Sequence, residues 1–180
     1  KYKPFGTMKI VAFSLGLVVL NIMWAVRGYV QIAAEMVYGI DYLTISLIFL
    51  VYAAWDALND PLTGYLLDKS KRFTKRGKRF PFILIGSIGS IISLMFLFMP
   101  VSSDSLIAII WILIWLLIWD QFQTIWELSS SAFTADVFRN EKQRVKYGGI
   151  SSVLDAIFTL LRAVSVPLII GIGGGFFEAN

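Results

Sequence analysis

The stretch "SLIAIIWILIWLLIW", Ser105 to Trp119, offers no polar face to water on any side of a helix. A helix apolar all round is buried in a large core or in lipid, and the rest of the chain decides between them. The chain has 180 residues, is 57% hydrophobic and has a mean hydropathy of +0.73. A soluble domain is roughly 45–50% apolar. Crossing about 30 Å of hydrocarbon takes about 20 apolar residues. Five segments meet that need: about 9–34, 42–67, 81–101, 105–135 and 147–174. The expected fold is therefore an all-α, polytopic transmembrane helix bundle.

The connections alternate in charge. The first span is preceded by Lys1, Lys3 and Lys9. The second connection carries Lys69, Lys71, Arg72, Lys75, Arg76, Lys78 and Arg79, and the fourth carries Arg139, Lys142, Arg144 and Lys146. The other connections and the C-terminus hold Glu35, Asp41, Asp104 and Glu178 with no Lys or Arg. The positive-inside rule places the N-terminus in the cytoplasm and residue 180 on the outer side of a cell membrane. Topology accounts for the net charge of +4. The basic loop has almost no interleaved aromatics, so no nucleic-acid partner is expected. There is no cysteine and no histidine, which removes disulfides, thiolate chemistry and the commonest proton relay. No enzyme constellation is present. The chain begins with Lys1 and ends shortly after an apolar run, so it reads as a piece of a longer protein.

Against that apolar background stands "WDALNDPLTGYLLD", Trp55 to Asp68. Counting from Asp68 at the helix end, Asp60 lies roughly 12 Å and Asp56 roughly 18 Å deeper. The i, i+4 spacing puts both on one face, with Asn59 beside them. A carboxylate at that depth costs about 2.5–3.5 kcal/mol on insertion scales, so it should face a cavity or a partner. Pro61 has no N–H and leaves the carbonyl of Ala57 without its helix partner. Two carboxylates, an amide and a freed carbonyl make an oxygen cage for sodium, or a pair that holds a proton. The alternative is a packing kink with paired charges.

The fourth span repeats the theme. Glu127 lies at the level of Asp60, and Thr124, Gln123 and Asp120 share its face. In the fifth span, Asp155 and Arg162 share a face with Ser151 and Thr159. Arg27, near the outer end of the first span, is expected to snorkel.

"WDALNDPLTGYLLD", "RGKRFPFILIGSI" (Arg76 to Ile88) and "FTADVFRNEKQR" (Phe133 to Arg144) together resemble the glycoside–pentoside–hexuronide:cation symporters, the melibiose permease branch of the major facilitator superfamily. The resemblance covers nearly all of the chain. It implies about five spans of a twelve-span fold, with residues 1–180 forming an incomplete N-terminal half that lacks its C-terminal partner half. It implies a cation site of Asp56, Asn59, Asp60, Thr124 and Glu127, with Asp56 and Asp60 as ligands if the ion is sodium. The function implied is symport of a sugar, glycoside or related small polar solute, coupled to Na+ or H+, with no other cofactor. Gly64, Asp68, Arg76, Gly77 and Arg79 resemble the superfamily's gating loop between the second and third helices, with Gly64 allowing close helix approach.

Three positions depart from the branch. Leu20, Ser152 and Ser131 stand where sugar contacts are expected, although Asn21 adjoins the first of them. The substrate candidates are Asn21, Glu127, Arg162 and Trp126, with Trp24 a further stacking platform. The rival readings are an uncoupled facilitator of the same fold and a non-transporting membrane scaffold or sensor.

Overall fold

The computed structural model describes residues 6–70, 77–99, 101–102 and 104–178, with side chains to Val164 except that of Leu17. All its described elements are helices: α1 (Thr7–Gly28), α2 (Val30–Tyr38), α3 (Tyr42–Lys69), α4 (Phe80–Leu97), α5 (Ser105–Val137) and α6 (Glu141–Glu178). Among the described residues, five helical stretches are long and apolar enough to cross a membrane, the first being α1 and α2 together.

The expected first span is broken. Tyr29 separates α1 from α2, and α2 ends at Gly39, whose left-handed backbone (φ 62°) lets its N–H reach the Glu35 carbonyl at 2.9 Å. A hydropathy average over the whole stretch passes across the junction, although Arg27, Gly28 and Gln31 stand beside it. Asp41 then caps α3, accepting from the Thr44 N–H at 3.0 Å and the Thr44 hydroxyl at 2.7 Å. Those bonds hold the Asp41 carboxyl below the usual carboxylate range. α3 stays helical through Pro61. In α4, Pro81 occupies the first turn, where its missing N–H costs nothing. At 33 residues α5 is about 50 Å long, more than a bilayer core needs, so it tilts or projects.

The chain forms two compact units: residues 22–137, and residues 1–21 with 138–180. In the first, α4 and α5 make the most extensive helix–helix contact, and α3 packs on α5. Its core gathers Ile45, Ile48, Tyr52, Leu97, Ile112, Leu116 and Trp119. Lipid replaces water as solvent for the remaining apolar faces, so Leu43, Leu47, Leu50, Leu62 and Leu66 of α3 are exposed. Ser90 and Ser93 are buried on α4 and donate to the Gly86 and Gly89 carbonyls at 2.8 and 2.6 Å, which satisfies their hydroxyls without a partner helix.

In the second unit, the N-terminal part of α1 lies along α6. Phe13, Phe138 and Tyr147 form an aromatic cluster with ring centroids 4.5–5.6 Å apart. Ser151 donates to Ser14 at 2.8 Å, and Lys146 donates to Thr7 at 2.7 Å.

Candidate cation site

α3 and α5 bring acids together because each carries them at helical spacing on the face turned to the other. A cavity of about 150 Å³ is lined by Trp24, Asp56, Asp60, Thr124, Glu127 and Leu128. Four of the five expected cation residues thus line one cavity. The Thr124 hydroxyl donates to Asp60 at 3.0 Å, joining α5 to α3. Among the described residues, no three acids converge to metal-ligating distance. The acids surround a space instead of closing on a point. The space has room for a few waters.

Asn59 is placed differently from the other four. It is 3% exposed and does not line the cavity. Its amide donates to Asp120 at 3.0 Å and to Thr124 at 3.3 Å, and its carbonyl accepts from Thr63 at 2.8 Å. Asp120 is 1% exposed and accepts from the Tyr52 hydroxyl at 2.9 Å on its other oxygen. Sequence reasoning missed Tyr52 and this use of Asp120. The i, i+4 relation of Asp120 to Thr124 was the available signal.

Arg27 does not reach out to the interface as a snorkelling side chain would. Its guanidinium lies over Tyr52, Phe49 and Trp24, at 4.2, 4.9 and 5.6 Å from the ring centroids. Cation–π attraction holds the charge against aromatic faces within its own unit.

Among the substrate candidates, Trp126 is 6% exposed, and its backbone and Cβ lie against Gly86 of α4. It does not line the cavity; Trp24 does, set edge-to-face on Trp119 at 5.2 Å. Asn21 and Arg162 meet in the other unit. The Asn21 side chain donates to Asp155 at 2.7 Å, and Arg162 donates to the Asn21 carbonyl at 2.9 Å and to Thr159 at 3.2 Å. A carboxylate and a guanidinium therefore end on one residue, well inside a membrane-spanning helix.

At the loop after α3, Arg79 pairs with the Asp68 carboxylate at 2.7 Å, and Lys78 donates to the Asp68 carbonyl at 2.7 Å. Gly77 has a φ of 106°, a conformation that favours glycine. Arg76 lies outside the described residues. The close approach expected at Gly64 is not there. A Cβ at Gly64 would sit 3.7 Å from the Leu128 side chain, an ordinary contact. Gly86 and Gly89 of α4 are the glycines pressed against a neighbour.

The family model described as "MFS/sugar transport protein" matches residues 12–179. The chain belongs to that family. The sodium-dependent lysophosphatidylcholine symporter 1 of Gallus gallus is 27% identical over 147 residues, covering 82% of this chain and 28% of that protein. Symporter 1-A of Danio rerio is 26% identical over 137 residues, covering 74% and 25%. Symporter 1 of Mus musculus is 24% identical over 151 residues, covering 82% and 28%. The chain thus spans about a quarter of the length of these curated relatives. As a member of a major facilitator family it is a multi-helix membrane chain of a transporter family.

Proposed function

We propose that this chain is most of the first half of a sodium-coupled symporter that works by alternating access, and that its cation site is the cavity between α3 and α5. The observation that carries the reading is the cavity itself: three carboxylates and a hydroxyl around a space with room for a few waters, inside membrane-spanning helices. Asp56, Asp60 and Glu127 supply the charge, Thr124 supplies a neutral oxygen, and Asn59 holds Thr124 from behind. Sodium bound there neutralises part of the negative charge. That lowers the cost of closing the cavity against a second half of the transporter. Sodium is preferred to a proton because the relatives are named as sodium-dependent.

The solute proposed is an amphiphile with a zwitterionic head, of the lysophospholipid kind. Three observations support it. The relatives are named for lysophosphatidylcholine. The positions matching galactoside contacts are Leu20, Ser152 and Ser131. Asp155 and Arg162 offer one negative and one positive partner around Asn21. A sugar is the second reading, favoured by the family's description. The test is uptake into proteoliposomes by the full-length transporter under an inward sodium gradient. Lysophosphatidylcholine should accumulate and melibiose should not. Robust melibiose accumulation would replace the amphiphile with a sugar. Uptake indifferent to the gradient would leave a facilitator, and no flux of either would leave a scaffold.

The orientation proposed is N-terminus inside and residue 180 outside, in a cell membrane. Single cysteines at Ser70 and Ser102, in a cysteine-free background, test it with a membrane-impermeant maleimide on intact cells. Ser102→Cys should label at once and Ser70→Cys only after permeabilisation. The reverse order would overturn the orientation.

A further inference from the structure

Asp120 is a buried carboxylate outside the cavity, and the reading above gives it no task. Its place in the hydrogen-bond chain gives it one. A carboxylate accepts and cannot donate. Oδ1 of Asp120 takes the Tyr52 hydroxyl proton, and Oδ2 takes one amide proton of Asn59. Asn59 is therefore oriented with its NH2 towards α5 and its carbonyl towards the Thr63 hydroxyl, which in turn accepts from Gln121 at 2.9 Å. The second amide proton of Asn59 goes to the Thr124 oxygen. Because Asn59 presents a donor and not an acceptor to Thr124, the Thr124 proton is left for Asp60. Every donor in the chain thus points the way Asp120 requires.

We propose that Asp120 is the positioning residue of the cation site, fixing the direction of the Asn59–Thr124–Asp60 hydrogen bonds and so presenting Asp60 and a free lone pair of Thr124 to the ion. This rests on the cation-site reading above. An amide at position 120 has one acceptor oxygen where the carboxylate has two, so it cannot accept from both Tyr52 and Asn59. With its NH2 towards Asn59, the Asn59 amide turns over and its carbonyl competes with Asp60 for the Thr124 proton. With its oxygen towards Asn59, the bond survives on a neutral, weaker acceptor and Asn59 is held less firmly. Arg27, stacked on Tyr52, anchors the far end of the chain, because the ring it covers carries the hydroxyl that binds Asp120.

The test uses sodium alone, so the solute need not be known. Equilibrium binding of radioactive sodium is measured on the purified full-length transporter, together with its melting temperature in sodium-free buffer. Asp120→Asn should weaken sodium binding about ten-fold, the size of one lost charge-assisted hydrogen bond. Tyr52→Phe, which loosens Asp120 without changing any charge, should weaken it roughly three-fold, a smaller loss for a neutral donor. The sodium-free melting temperature should fall little or rise for Asp120→Asn, because a buried charge has been removed. Asp120 also lies beside Asp56, so its charge acts on the ion whatever the chain does, and Tyr52→Phe is the deciding variant. Unchanged sodium affinity in the Tyr52→Phe protein, or affinity lost in either variant only in proportion to lowered stability, would overturn the proposal. Asp56→Asn is the control. If it loses sodium while Asp120→Asn keeps it, this inference fails and the cation site stands. If the unaltered transporter binds no sodium, both fall together.

Discussion

Asp60→Asn and Asp56→Asn should each abolish the sodium-driven accumulation proposed for the full-length transporter, while downhill exchange of solute should survive. Asparagine keeps the volume of aspartate and one acceptor oxygen, so Thr124 still has a partner at position 60. What is lost is one unit of negative charge beside the ion. At an effective dielectric of ~20, two unit charges ~4 Å apart attract by about 4 kcal/mol, or about a thousand-fold in affinity. That loss disconnects uphill transport from the sodium gradient. The Asn21, Asp155 and Arg162 group proposed for the solute is untouched, so downhill exchange should continue. If the acids were only structural, neutralising one would be harmless or stabilising, because a charge in a membrane helix is costly. The measurement is uphill uptake and downhill counterflow in the same proteoliposomes. Undiminished accumulation by the Asp60→Asn protein would end the symporter reading.

The sequence makes some of this legible and hides the rest, for physical reasons. Lipid tolerates few charges, so the apolar runs and the alternating basic loops carry the helix count. Depth arithmetic along α3 and α5 puts Glu127 level with Asp60 and Asp56 about one turn deeper, with Thr124 on the face of Glu127, and those four line one cavity. Depth says nothing about rotation. Asn59 shares the level but turns its amide behind the cavity wall, and Trp126 turns into α4. Tyr52 sits within an apolar run and carries no mark of its bond to Asp120. Distance from the helix end predicts snorkelling for Arg27, whereas the aromatic faces within reach determine where its charge rests. The misplaced close approach has a cause that was open to reading. "GSIGSIIS", Gly86 to Ser93, sets small residues at 86, 89, 90 and 93 along one helix face, the pattern that lets membrane helices draw together. Gly64 stands alone among larger residues.

That stripe leads to the largest stability effect expected in the chain. Gly86→Ala should destabilise the folded protein by about 1–3 kcal/mol or more, the range for overpacking a well-filled contact. A Cβ at Gly86 would lie 2.6 Å from the Trp126 backbone N and 2.8 Å from its Cα and Cβ. Backbone in the middle of a helix cannot swing aside, so α5 as a whole must move off α4. Gly89→Ala should cost less. There the obstacle is the ring of Phe122, which borders an apolar groove and has space to turn into. Gly64→Ala should be neutral or mildly stabilising, since its methyl meets only an ordinary contact and alanine is the better helix former by up to about 1 kcal/mol. Melting temperatures in detergent should therefore fall in the order Gly64→Ala, Gly89→Ala, Gly86→Ala. Gly86→Ala should also weaken sodium binding in whatever fraction remains folded. Trp126 lies between Thr124 and Glu127 on α5, so a shift at Trp126 moves both away from Asp56 and Asp60. A Gly86→Ala protein that melts like the unaltered one would show that α4 and α5 are not held at backbone contact, and the helix spacing on which the cavity depends would have to be set elsewhere.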